Sequence, residues 1–162
     1  MKTPSPEKQL AGFVAKFSPE MAARIRAVRR KMRERLPTAV ELVYDNYNFF
    51  VIGYSATERP SDAILSIAAK AGGVSLCFLY GAELPDPHRL LSGSGNQTRF
   101  IRVESGAVLA RPGVASLLRA AIARSRAPFP STGRGRLIIR SISAKQRPRR
   151  HATSHSRRQR RR

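Results

Sequence analysis

Acidic residues are scarce in this chain. Ten Asp and Glu stand against 31 Lys and Arg over 162 residues, a formal net charge of +21. That balance leaves little material for the acidic, oxygen-rich surface that gathers hard cations. It points instead to polyanions. Cysteine is nearly missing: Cys77 alone excludes both an intrachain disulfide framework and a cysteine zinc cluster. No apolar run approaches the ~18–20 residues of a membrane-spanning helix. Residues 1–11 lack the apolar segment of a secretory signal, so a cytoplasmic location is expected. Histidine occurs three times, and two of these, His151 and His155, lie in the polar C-terminal run. No metal site and no cofactor are expected.

The usual catalytic patterns are also missing. Gly93-Ser94-Gly95-Asn96-Gln97-Thr98 has no lysine to reach a phosphate, as a P-loop requires. It has no third glycine and is followed by a strand pattern, which removes the dinucleotide fingerprint. Its amides beside Arg99 offer at most a weak anion site. Cys77 falls in an apolar strand pattern, where a thiol is expected to be an inert core residue. Glu83, Asp86 and His88 lie close together, but Pro85 and Pro87 make that segment a surface turn rather than a metal-ligating helix. No serine, histidine and carboxylate set can be assembled, so a noncatalytic domain is the expectation.

What is present is a core-forming pattern of modest size, 41% apolar. Residues 7–17 carry Leu10, Phe13, Val14 and Phe17 at helical spacing. Ser18-Pro19-Glu20 starts a second helix that runs to about Leu36 and stops at Pro37. Met21, Ile25, Val28, Met32 and Leu36 form its apolar stripe. Seven basic residues between Arg24 and Arg35 fill the flanks and back, as a solvated face or one laid along phosphates. Strand patterns follow at 39–45, 49–55, 63–70, 74–80 and 99–104. The fourth, VSLCFLY, is the most apolar and is expected to be central. A third helix is expected over 111–126 and a last strand over 136–142, with Arg136 and Arg140 on one face. This order predicts a single α+β domain: a mostly antiparallel sheet of five to six strands with two or three helices.

Two regions stand out as candidate sites. Tyr44, Asp45, Tyr47 and Asn48 concentrate hydrogen-bonding groups at a strand end, either as a turn or as a small-molecule pocket joined by Glu58 and Asp62 from the next loop. Residues 145–162 carry nine basic and no acidic residues, and their only apolar residue is Ala152. That run reads as disordered and suited to nonspecific polyanion contact, nucleic acid included, through Arg149, Arg150, Arg157, Arg158, Arg160, Arg161 and Arg162, or to solubility alone.

Several stretches carry a family resemblance. They are Val43-Tyr44-Asp45-Asn46-Tyr47-Asn48, Val51-Ile52-Gly53-Tyr54-Ser55 with Thr57-Glu58-Arg59, Val74-Ser75-Leu76-Cys77-Phe78-Leu79, Gly93-Ser94-Gly95, Arg102-Val103-Glu104-Ser105 and the closing run 135–150. Across roughly residues 8–150 the chain resembles the YdhG-like domains of bacteria, a family without an agreed activity. The resemblance implies an α+β domain with an antiparallel sheet and moves the start of the disordered tail to about residue 151. The expected partition is a polar lead 1–6, a domain 7–150 and a tail 151–162. Some members of that family are described as frataxin-like iron chaperones, an alternative that the shortage of acids disfavours.

Overall fold

The computed structural model describes residues 2–151. Helix α1 (Pro6–Ala15) and helix α2 (Pro19–Arg35) begin alike. In each a serine, Ser5 or Ser18, accepts a hydrogen bond from a first-turn amide (Lys8 N at 3.2 Å, Met21 N at 3.3 Å), and proline follows at the first helical position. The serine oxygen satisfies one of the orphan donors, and proline gives up an amide that would lack a partner anyway. Strands β1 (Val40–Asp45), β2 (Phe50–Ser55), β3 (Ala63–Lys70), β4 (Gly73–Phe78) and β5 (Arg99–Arg102) follow. Helix α3 (Pro112–Ala123) and strand β6 (Leu137–Ile142) complete the fold.

One six-stranded sheet has the order β5-β4-β3-β2-β1-β6. Neighbours are antiparallel except β1 and β6, which run parallel. The expected α+β class with a mostly antiparallel sheet is therefore what the chain adopts. Two details differ from expectation. The central pair is β2 and β3, whereas β4 lies one place from the edge. Its apolar run reflects burial of Val74, Leu76 and Phe78 on one face. Ser75 and Cys77 fall on the other, so Cys77 is half-buried and outside the core cluster. Second, Arg136 precedes β6 and Arg140 is the extra residue of a bulge opposite Val43 and Tyr44, which breaks their shared face.

The helices cover one face of the sheet. Register places Val43, Ile52, Ile67, Leu76 and Ile101 in one row beneath them. From α2, Ile25, Val28 and Met32 are fully buried on that surface, and Met21 is partly buried beside them. Burying each such side chain is worth roughly 1.5–3 kcal/mol. The same face of β1 carries Glu41 and Asp45, with Val43 between them. Two carboxylates thus point into the helix-covered side at opposite ends of one strand, and both candidate sites are built around them.

Candidate polyanion-binding grooves

The first groove opens at the start of β1. Arg26, Arg29, Arg30 and Arg33 of α2 form one wall; Arg134 and Gly135, ahead of β6, form the other. The space is about 560 Å³. Gly135 is required there: its amide donates to the Pro37 carbonyl at 3.0 Å, and a β-carbon would overlap the Ala39 carbonyl. At the floor, Glu41 is 5% exposed. Arg29 donates Nε to Glu41 Oε2 at 3.0 Å and Nη2 to Oε1 at 2.9 Å, and the Tyr54 hydroxyl donates to Oε2 at 3.0 Å. The same guanidinium reaches Glu7 with two bonds of 3.2 and 2.9 Å.

These contacts set the proton affinities. The Arg29 bond holds the Glu7 carboxyl below its usual value. Burial alone would lower Arg29, but the bonds to Glu41 and Glu7 outweigh it and keep the guanidinium charged. Burial, then the charge of Glu41, pushes the Tyr54 hydroxyl well up, so it stays a donor. Glu41 and Glu7 thereby share a single arginine, and Glu34, the other acid lining the groove, lies 3.6 Å from Lys31. Arg33 comes no closer to Glu41 than 3.9 Å, and Arg26, Arg30 and Arg134 have no carboxylate partner among the described residues. The groove is an open cationic surface with a neutralised floor.

The second groove opens at the other end of β1, lined by Asn48, Lys70, Gly72, Arg147, Arg150 and His151, with a volume of about 480 Å³. Residues 143–150, of which 145–150 read by composition as part of a disordered run, are a strap folded over the β1–β2 turn. Ser143 N donates to the Asp45 carbonyl (2.9 Å), Gln146 Nε2 to the same oxygen (2.7 Å) and Arg147 N to the Tyr47 carbonyl (2.9 Å). Beneath the strap Asp45 is fully buried. Lys16 Nζ lies 2.7 Å from its Oδ2, and Arg149 Nη2 lies 3.0 Å from its Oδ1 and 2.6 Å from the Asn46 carbonyl. Burial alone would raise the Asp45 carboxyl; Lys16, the Gln146 amide and Arg149 outweigh it and hold it below the usual range. Arg150 fastens the strap further, donating to the Lys16 and Ala15 carbonyls.

The six residues named for a pocket at 44–48 and the next loop do not come together. Asp45 is inside, bound to two cations. Tyr44 points to the opposite face of β1, as strand alternation requires. Tyr47 and Asn48 are exposed at the turn, and Asn48 lines the second groove. Glu58 lies beyond the far end of β2, paired with Arg136, and Asp62 accepts from Thr57. Among the polyanion candidates, Arg149 must be corrected: it is 5% exposed and engaged by Asp45. Arg150 is exposed at the groove. Arg157, Arg158, Arg160, Arg161 and Arg162 lie outside the described residues.

The other suspected sites have ordinary structural partners. Arg99 donates to the Gly95 and Thr98 carbonyls, so the glycine turn presents bonded oxygens to it rather than free amides. Asp86 accepts from the Leu90 and Leu91 amides, which closes the turn beside His88. Burial pushes the Cys77 thiol up, away from nucleophilic use. Among the described residues no group of three or more His, Cys, Asp or Glu comes together. A third cavity, between Tyr80, Glu83 and Arg124, holds only about 50 Å³.

Sequence reasoning singled out the cationic side of α2 but missed Lys16, Glu41, Lys70 and Arg134. Lys16 meets Asp45 from 29 residues away, Lys70 and Arg134 reach their grooves from other elements, and Glu41 reads as one residue of an alternating strand. No family model, no curated protein and no solved structure matches this chain. The geometry above is therefore what a functional reading rests on.

Proposed function

We propose that the chain is a noncatalytic polyanion-binding domain of the YdhG-like kind. The family assignment is supported by the stretches quoted for it, which supply β1, β2, β4, β6 and the strap. The binding role is carried by one observation: Arg26, Arg30 and Arg134 surround a groove of about 560 Å³ without a carboxylate partner among the described residues, while its two lining acids, Glu41 and Glu34, are paired with Arg29 and Lys31. Unpaired guanidiniums on a helix, with another on the segment facing it, are ready to take phosphate oxygens and release counterions. Such contacts track a backbone without reading bases.

The iron-chaperone alternative has weaker support. Glu7, Glu41, Asp45 and Glu58 are each bonded to arginine or lysine, so a cation would have to displace a cation. A small-molecule pocket at 44–48 keeps only Asn48 as a groove-lining residue.

Fluorescence anisotropy with labelled duplex DNA, read against salt, tests the proposal. With about four phosphates contacted, the log–log slope is about −4. Arg26→Gln with Arg30→Gln should flatten it by about 2. An unchanged slope in that variant, or no binding at about 50 mM salt, would overturn the reading.

A further inference from the structure

The second groove has a feature that the first lacks. Two exposed rings flank it, each beside one of its lining cations. Tyr47 is 49% and Phe49 39% exposed, both in the β1–β2 turn. Each already carries a cation at ring-stacking distance: Arg147 lies 5.7 Å from the Tyr47 centroid and Lys70 lies 5.6 Å from that of Phe49. Their backbones are held from below. The Tyr47 carbonyl accepts from the strap, and Asn46 N donates to the Phe49 carbonyl at 3.0 Å. Arg102, from β5, donates to the Gly72 carbonyl and brings another positive charge to the β3–β4 turn. The only acid in the strap contacts described above is Asp45, which is buried and neutralised.

A single exposed ring is ordinary, but here two fall within three residues of one turn, each beside a cation. Rings set among phosphate-binding cations are the arrangement that single-stranded nucleic acid requires. Unpaired bases stack on the rings while the backbone follows the charges. A duplex keeps its bases inside the helix and can use only the charges. An arginine on one side of a ring leaves the other side for a base and adds to its attraction.

We propose that this groove and the two rings beside it form a stacking platform for single-stranded DNA or RNA, with Tyr47 and Phe49 each receiving a base and Lys70 and Arg147 holding the intervening phosphates. The proposal rests on the polyanion-binding reading and names the form of nucleic acid that the second groove takes. The sequence from His151 onward adds five further arginines directly after the groove. The discrimination between single and double strands lies in the rings and not in those charges.

The chain contains no tryptophan, so Phe49→Trp installs a single reporter at the platform. The probe is an oligothymidylate of about 12 nucleotides, alongside an oligouridylate and a duplex of the same length. At about 0.1 M salt the full chain should prefer the single strands. Tyr47→Ala and Phe49→Ala should each weaken single-strand binding about tenfold or more. Duplex affinity should stay as it was, with the unfolding midpoint confirming the fold. Tyr47→Phe should retain the preference, and emission from Phe49→Trp should be quenched by oligothymidylate but not by inorganic polyphosphate. Equal affinity for both forms, with ring variants like the wild type, would overturn this proposal and leave the polyanion reading intact. Absence of binding to every probe would overturn both. Quenching by polyphosphate would show that charge alone acts at the ring, which also overturns it.

Discussion

Glu41 and Asp45 point from the same face of one strand, yet the chain neutralises them in different ways. At Glu41 the countercharge is close in sequence: Arg29 lies in the helix just before the strand, with Glu7 as a second partner and Tyr54 from the neighbouring strand. At Asp45 the countercharges are Lys16 and Arg149, and Arg149 is separated from it by almost the whole sheet-forming part of the chain. The first arrangement is a pair that α2 carries with it as it docks. The second is a clasp that exists only when the C-terminal strap is in place. Arg29 has two acids to share, so losing one leaves it paired. Arg149 has a single carboxylate, and its Nε and Nη1 are buried without a partner.

That contrast breaks most clearly at the clasp. Asp45→Ala leaves a buried guanidinium uncompensated and should cost about 3–5 kcal/mol in urea unfolding. Replacing both members, Asp45→Leu with Arg149→Met, should recover most of the loss, because a buried pair is replaceable by apolar groups. If the double variant is as unstable as the single one, the pair is not the cause.

Glu41→Gln should cost less, about 1–3 kcal/mol, since Arg29 keeps Glu7 and Tyr54 keeps an acceptor. A loss equal to that of Asp45→Ala would erase the distinction between the two ends. Gly135→Ala, which drives a methyl group into the Ala39 carbonyl, should fall in a similar range of about 1–3 kcal/mol and be visible as a lowered melting midpoint.

Acid sharpens the comparison further. The Asp45 carboxyl ionises below its unfolded value of about 3.9. Its contribution is therefore complete above about pH 4 and is lost as pH falls through the folded value. Asp45→Asn should make the acid limb of a stability–pH curve shallower. An unchanged limb would assign the acid sensitivity elsewhere, with Glu7, also held low, as the next residue to replace. The smallest effect on stability is expected from truncation after Arg150. It removes five arginines, leaves the clasp whole, and should flatten the salt slope of duplex binding while the unfolding midpoint stays in place.

The elements themselves were legible in the sequence because their signals are local. Ser18-Pro19 and Pro37 bracket α2, and the spacing of Ile25, Val28 and Met32 identifies its buried side. The turn at 45–48 follows from its Asp and Asn content. Strand order was not legible. VSLCFLY reads as a central strand because it is apolar, but β5 and α2 supply its cover from one place inside the edge. The burial of Asp45 was equally hidden. An acid in a turn-rich segment resembles a solvent-facing residue, and its partner Arg149 sits in a run whose composition suggests a solvated tail. Only the fold brings those two readings together and reverses both. Tyr47 was singled out as part of a turn or pocket and residue 49 as the start of a strand, but the cations beside the two rings, Arg147 and Lys70, come from two other segments.

The position of β6 has a consequence for how the protein is made. Strand β1 is complete early, but its outer edge is covered only by β6, the last strand of the sheet, and its buried acid at residue 45 has Lys16 alone until the strap that follows adds Arg149. On a ribosome, which releases the N-terminal part first, β1 through β5 emerge and pair while that edge stays open to any other strand. The sheet closes in a final step, when residues 137–150 leave the exit tunnel and are drawn back to the first strand made. Until then the nascent chain carries an unguarded edge and an acid matched by Lys16 alone, so the interval between synthesis of β5 and release of the strap is when edge-to-edge pairing with another chain is open to it.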